Sequence, residues 1–134
     1  MENRVAWSLL HALSIETFQY TWPDGKQAVW DIRQCETWLS CRPHLEDDIP
    51  CTVLEDIVAS NDPDLTYLAY VDPRIPGIAA PIMENGDVVY ILIDGNKRAA
   101  KLLMNAGRSF RVRLLSDAES RACVIRCDDW TRLP

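Results

Sequence analysis

The spacing of hydrophobic positions changes from place to place along the chain, and each change predicts an element. Val88–Ile93 (VVYILI) is a continuous apolar run, too short for a half-exposed helix, and its valine and isoleucine content predicts a buried strand. Ala99, Leu102, Leu103 and Ala106 then fall at i, i+3, i+4 and i+7, one apolar stripe on a helix that Gly107 closes in the left-handed conformation. Phe110, Val112 and Leu114 alternate with Arg111 and Arg113, which predicts a strand with one buried face. The whole of Val88–Leu114 reads as a compact βαβ-like crossover.

The same reading extends to the rest of the chain. Val5–Ile15 is an amphipathic first helix, and Thr17–Tyr20 and Gln27–Trp30 flank the turn Trp22-Pro23-Asp24-Gly25-Lys26 as a hairpin. Asp31 caps a short helix through Ile32, Cys35, Trp38 and Leu39, and Leu45–Pro50 is an acidic loop. Thr52 caps a helix through Val53, Leu54, Ile57 and Val58, with Glu55 completing a capping box. Asn61-Asp62-Pro63-Asp64 ends it, and Leu65–Val71 is β-prone. Asp72–Pro81, with Pro73, Pro76, Gly77 and Pro81, is a stiff connector that no regular element crosses. Asn85-Gly86 makes a tight turn that pairs Ala80–Met83 with Val88–Ile93. Ser116 to Glu119 is a capping box that opens a last helix to about Cys127. The fold class is therefore α/β (α+β), a small mixed sheet flanked by helices, with residues 1–134 as a single domain.

Composition narrows the function. A chain of 134 residues that is 48% hydrophobic can bury its own core. Its net charge of −6 gives no global attraction to a polyanion, so DNA is a disfavoured partner. No apolar run is long enough to cross a bilayer, and the mixed-charge start lacks a secretory pattern, so the expected location is cytoplasmic. The five cysteines, Cys35, Cys41, Cys51, Cys123 and Cys127, form no CxxC pair and read as reduced thiols; Cys123 and Cys127 with His44 or Cys41 only loosely approximate a zinc site. Most of Trp7, Trp22, Trp30, Trp38 and Trp130 belong in a core or interface, with one near the site available to stack on a base.

The candidate chemistry lies at the strand-to-helix junction Asp94-Gly95-Asn96-Lys97-Arg98. Free backbone N–H groups of a first helical turn point outward there, the helix dipole adds partial positive charge, and Lys97 and Arg98 add full charges. Gly95 lets a phosphate approach the main chain. The plainer alternative is a turn in which Asp94 caps the helix and Lys97 and Arg98 are surface charges. Neither a Walker-type loop nor a dinucleotide fingerprint is present.

DGNKR resembles the loop of the helical Fic and Doc family, but Tyr90 stands where that family's His should be, and the flanks read as strands. The sequence is more similar to the ParB and sulfiredoxin superfamily, whose pattern is an apolar strand, a D-G-x-x-R turn, an Ala-rich helix, a Gly and a further strand. VVYILI, DGNKR, AAKLLMNA, Gly107 and FRVRLL follow that order, so the likeness spans a core of about Gly77 to Ile125. It implies a kinase-like or nuclease-like member that holds the phosphates of ATP or another nucleotide on Asp94, Gly95, Asn96, Lys97 and Arg98, with Mg²⁺. The catalytic Cys of sulfiredoxins is replaced by Asn96, and the two His of the kinase-like D-G-H-H-R by Asn96 and Lys97. Partition activity is not expected, since the segments that normally follow have no counterpart here.

A phosphoryl transfer would need a carboxylate to activate the acceptor and Mg²⁺ to bridge phosphates. Asp72 is the first candidate base, ahead of Glu55 and Asp56. Asp94 is placed to act in catalysis and hold Mg²⁺, and Arg74 to meet phosphate or a carboxylate bidentately. The expected function is thus a nucleotide- or phosphate-binding protein, an ATP-dependent phosphotransferase or hydrolase on a small-molecule acceptor. The alternative is a non-catalytic nucleotide-binding regulator or a DNA-associated ParB-like module.

Overall fold

The computed structural model describes residues 16–41 and 43–134; the helix expected over Val5–Ile15 and Trp7 lie outside them. The elements run β1 (Thr17–Thr21), β2 (Gln27–Asp31), α1 (Ile32–Ser40), β3 (Leu45–Pro50), α2 (Cys51–Asn61), a 3₁₀ turn (Leu68–Tyr70), β4 (Gly77–Glu84), β5 (Asp87–Asp94), α3 (Asn96–Met104), β6 (Ser109–Leu114), α4 (Asp117–Cys123), β7 (Val124–Cys127) and a 3₁₀ turn (Trp130–Arg132). Two sheets result, β1-β2-β7 and β3-β6-β4-β5. The class is α+β.

The larger sheet carries two cores. Alternation along β4 and β5 sends Ile78, Ala80, Ile82 and Ile93 into a cluster with Trp22, Trp30, Ile32, Cys35, Leu39 and Cys123, shared with the smaller sheet, α1 and α4. The opposite face sends Ala79, Leu92, Phe110 and Val112 against Leu54 of α2 and Ala99 of α3. Asp31 caps α1 by accepting from the Gln34 N–H, and Ser116 and Glu119 form the reciprocal box that starts α4.

Several expectations are corrected. Leu45–Pro50 is strand β3 rather than a loop, pairing antiparallel with β6 so that Glu46 and Asp48 lie opposite Arg113 and Arg111. Arg111 reaches Glu46 at 2.9 Å and Asp48 at 3.5 Å, which neutralises the acidic run across the strands. The second helix starts at Cys51 behind Pro50 with no side-chain cap, so Thr52 and Glu55 form no box. Leu65–Val71 holds turns and a 3₁₀ segment in place of a strand, and the Pro-rich connector ends at Gly77, where β4 begins and runs through Pro81.

β5 is an edge strand. Val88 and Tyr90 are half-exposed and only its last residues are buried, so it is not buried along its whole length. β6 lies beside β4 and parallel to it, and β4 is antiparallel to β5. The parallel crossover therefore runs from β4 through β5 and α3 to β6; β5–α3–β6 is not itself a βαβ unit. α3 ends with Ala106, not Gly107, in the left-handed region at φ 57°. Gly107 is needed for space instead, since a Cβ there would lie 2.5 Å from Leu102 Cγ. The last helix stops at Cys123, and Val124–Cys127 joins the smaller sheet as β7, which separates Cys123 and Cys127.

Candidate functional site

A cleft of about 580 Å³ opens where β5 passes into α3. Its floor is Ile93, Asp94, Gly95, Asn96, Lys97 and Arg98. Its walls are Glu16–Phe18 of the β1 approach, Ile32, Asn61 at the end of α2, and Pro63, Asp64, Val71 and Asp72 of the following loop. The strand form of Val88–Ile93 removes the helical setting that the Fic and Doc resemblance needs.

Gly95 is the N-cap of α3, at φ 95° and without a side-chain cap hydrogen bond. Asp94 therefore does not cap the helix. The N–H groups of Asn96, Lys97 and Arg98 have no acceptor among the described residues, while the Ala99 N–H already bonds to the Gly95 carbonyl. The turn fits tightly beneath: a Cβ on Gly95 would stand 3.0 Å from Gly77 Cα, and one on Gly77 would stand 2.7 Å from the Asp94 carbonyl. Asn61 fixes it from the side, donating to Asn96 Oδ1 at 2.7 Å and to the Leu92 carbonyl at 3.3 Å.

The two cations of the motif have different roles. Arg98 pairs with Asp94 at 2.8 Å and donates to the carbonyls of Pro76 (2.8 Å) and Ile75 (3.3 Å), so its charge is turned inward. Lys97 is exposed and has no ion pair or hydrogen bond among the described residues. It is the cation left for a ligand.

Of the expected site residues, the structure gathers Asp72 and Asp94–Arg98 in one cleft. Arg74 is not in its lining. Its guanidinium forks onto Asp72 at 3.0 and 3.1 Å in solvent, which holds the Asp72 carboxyl below the usual range. Glu55 and Asp56 are exposed on α2, and neither they nor Trp22, Trp30, Trp38 and Trp130 line the cleft. Glu16, which the sequence reading passed over, faces the cleft. Desolvation and then the negative charge of Asp94 raise its carboxyl above the usual glutamate range, against the opposing pull of Arg98 and Lys97. Asp64 is the fourth carboxylate in the lining, held low chiefly by hydrogen bonds from Thr66.

No group of three or more His, Cys, Asp or Glu among the described residues is placed to hold a metal ion. The five cysteines are free thiols; those of Cys35 and Cys123 touch inside the core, and that hydrogen bond, with burial, keeps the Cys35 thiol protonated. No helix among the described residues is long and apolar enough to cross a membrane. Comparison with known proteins finds no matching family model, no matching characterised protein and no matching solved structure.

Proposed function

We propose that the cleft binds a nucleotide or related phosphate compound as its Mg²⁺ complex. The observation that carries this reading is the uncapped first turn of α3. Three N–H groups without acceptors and Lys97 without a partner, among the described residues, belong to the lining of a glycine-floored opening. The lining also holds Glu16, Asp64, Asp72 and Asp94 against Lys97 and Arg98, so a bare polyanion would meet net repulsion. A magnesium complex lowers that charge. Mg²⁺ keeps several waters and often needs only one or two protein carboxylates beside the phosphates, which suits a cleft without a preformed metal cluster. Asp94, with Oδ2 engaged by Arg98, is the nearest such carboxylate to the turn.

The catalytic form of this reading is an ATP-dependent phosphotransferase or hydrolase acting on a small-molecule acceptor, the ParB and sulfiredoxin resemblance being its analogy. Bound Mg²⁺ would supply charge neutralisation at the phosphates. Proton removal from the acceptor falls to Glu16 in preference to Asp72, because a raised carboxyl is the stronger base and the Arg74 fork weakens Asp72. That same fork favours the second reading, a non-catalytic nucleotide-binding regulator, since it takes the expected base out of use. A DNA-associated role gains nothing from a cleft with four carboxylates.

Titration of the protein with ATP, ADP and CTP in Mg²⁺ tests binding, and release of inorganic phosphate or loss of nucleotide tests turnover. Saturable binding with magnesium-dependent turnover supports the enzyme. Binding without turnover supports the regulator, and binding of none of the three rejects the phosphate site.

A further inference from the structure

Two of the five thiols face each other in the core. Cys35 lies on the buried face of α1 and Cys123 is the last residue of α4. Their exposures are 0% and 2%, and both belong to the cluster that holds Trp22, Trp30 and Leu115. Their sulfurs are in hydrogen-bond contact. Neither lines the cleft, and neither joins a group placed to hold a metal among the described residues. Alanine or valine would fill either place with comparable burial, so what two facing sulfurs add is the capacity to bond to each other.

The elements that carry the pair are fixed in place. Asp31 caps α1 by accepting from the Gln34 N–H at 3.2 Å, and α4 starts at the Ser116–Glu119 box. Trp30 Nε1 donates to Ser120 Oγ at 3.0 Å, a buried bond that ties α4 to β2 within one turn of Cys123. The remaining thiols are placed differently: Cys41 is exposed, Cys51 opens α2, and Cys127 lies on β7 past the end of α4.

The sulfur contact has a direction. Cys35 donates its S–H to the Cys123 sulfur, which with burial raises the Cys35 thiol above the usual range. The same bond lowers the Cys123 thiol, against the opposing effects of desolvation, Asp31 and Glu119. Cys123 therefore supplies the thiolate while Cys35 keeps its proton. We infer that Cys35 and Cys123 are a redox site, a dithiol that a hydroperoxide converts into a disulfide joining α1 to α4. The Cys123 thiolate attacks a peroxide oxygen, the O–O bond breaks, and the departing alkoxide or hydroxide takes up the proton that Cys123 released. The Cys35 sulfur then attacks the Cys123 sulfenic acid, the S–O bond breaks, and the Cys35 proton leaves with the hydroxyl as water. Two electrons pass from the sulfurs to the peroxide, and a thiol reductant returns them. The new bond closes a loop that contains the whole four-stranded sheet, so it restricts the unfolded chain and stabilises the fold.

The test incubates the folded full chain with hydrogen peroxide, blocks the remaining thiols with iodoacetamide and maps the digest by mass. The expected product is a crosslink between the peptides of Cys35 and Cys123, lighter by two hydrogens and cleaved by dithiothreitol. Its melting temperature lies several degrees above that of the reduced protein. The Cys41→Ser/Cys51→Ser/Cys127→Ala variant gives the same crosslink, and Cys123→Ala leaves Cys35 a free thiol. A pair that stays reduced, oxidation that ends at sulfinic acid, a crosslink to a different cysteine, or one that forms only once the chain is unfolded overturns the proposal. So does a crosslink that lowers the melting temperature, because the fold then has to distort to make it.

Discussion

Arg98 donates to the Asp94 carboxylate across 2.8 Å and, from its other terminal nitrogen, to the Pro76 carbonyl at 2.8 Å, both carboxylate and guanidinium being mostly buried. The arginine of DGNKR is therefore a strut that ties the start of α3 to the loop leading into β4. Arg98→Ala leaves Asp94 and two carbonyls short of a donor and should lower unfolding free energy by about 2 kcal/mol. Arg98→Lys should recover only part of that, since a single ammonium nitrogen cannot stand in for the two terminal nitrogens that Arg98 sets against the carboxylate and the carbonyls. Urea denaturation measures both; an unchanged midpoint for Arg98→Ala would refute the strut.

Gly77 and Gly95 meet under the site. A Cβ on Gly77 would fall 2.7 Å from the Asp94 carbonyl and 2.8 Å from Phe110 Cε2, and neither the backbone nor the buried ring can move freely. Gly77→Ala should destabilise by about 2–3 kcal/mol, the range for overpacking. The same denaturation experiment checks it.

At the end of α3 the chain places alanine where glycine would be cheaper. Ala106 holds φ 57°, so Ala106→Gly should raise stability by up to about 1 kcal/mol. Gly107→Ala should do the reverse because its Cβ would collide with Leu102. Opposite shifts in melting temperature for the two neighbours are the expected result.

Glu16 gives a pH signature. Its folded carboxyl lies above the unfolded value, so the folded state holds the proton more tightly. Its contribution is favourable below the ordinary glutamate pKa and is lost as pH rises through the raised folded value. Glu16→Gln should therefore match wild type at about pH 3.5 and melt higher at about pH 7. A difference that does not change with pH would show that the carboxyl is not perturbed.

Most elements with local signals are legible in the sequence, the Thr52–Glu55 box and the closure of α3 at Gly107 being the exceptions, whereas elements completed by distant partners are not. The turn at Asn85-Gly86, the Asp31 cap and the Ser116–Glu119 box each depend on residues within four positions of one another. β3 looked like a loop because LEDDIP has few apolar positions; its charges make sense only opposite Arg111 and Arg113. β7 continues the helical spacing begun at Ser116, and its true partner, β2, lies about a hundred residues earlier in the chain. The candidate cleft opens at DGNKR, the stretch that the sequence singles out. The inward role of Arg98 was not, because its acceptors include main-chain carbonyls, and carbonyls carry no sequence signal. Glu16 was missed for a similar reason: it stands in no motif and reaches the cleft only through the placement of β1.

Lys97 offers the cleanest test of the proposed nucleotide site, because it lines the cleft and, unlike Arg98, supports no contact within the described fold. The measurement is calorimetric titration of ATP in Mg²⁺ into wild type and Lys97→Ala, with thermal unfolding confirming that both are equally folded. Saturable binding to wild type, weakened about tenfold or more in the variant as for loss of a charged hydrogen bond, is the predicted result. Equal affinity in the two proteins, or no binding to wild type, would contradict a phosphate site at the start of α3.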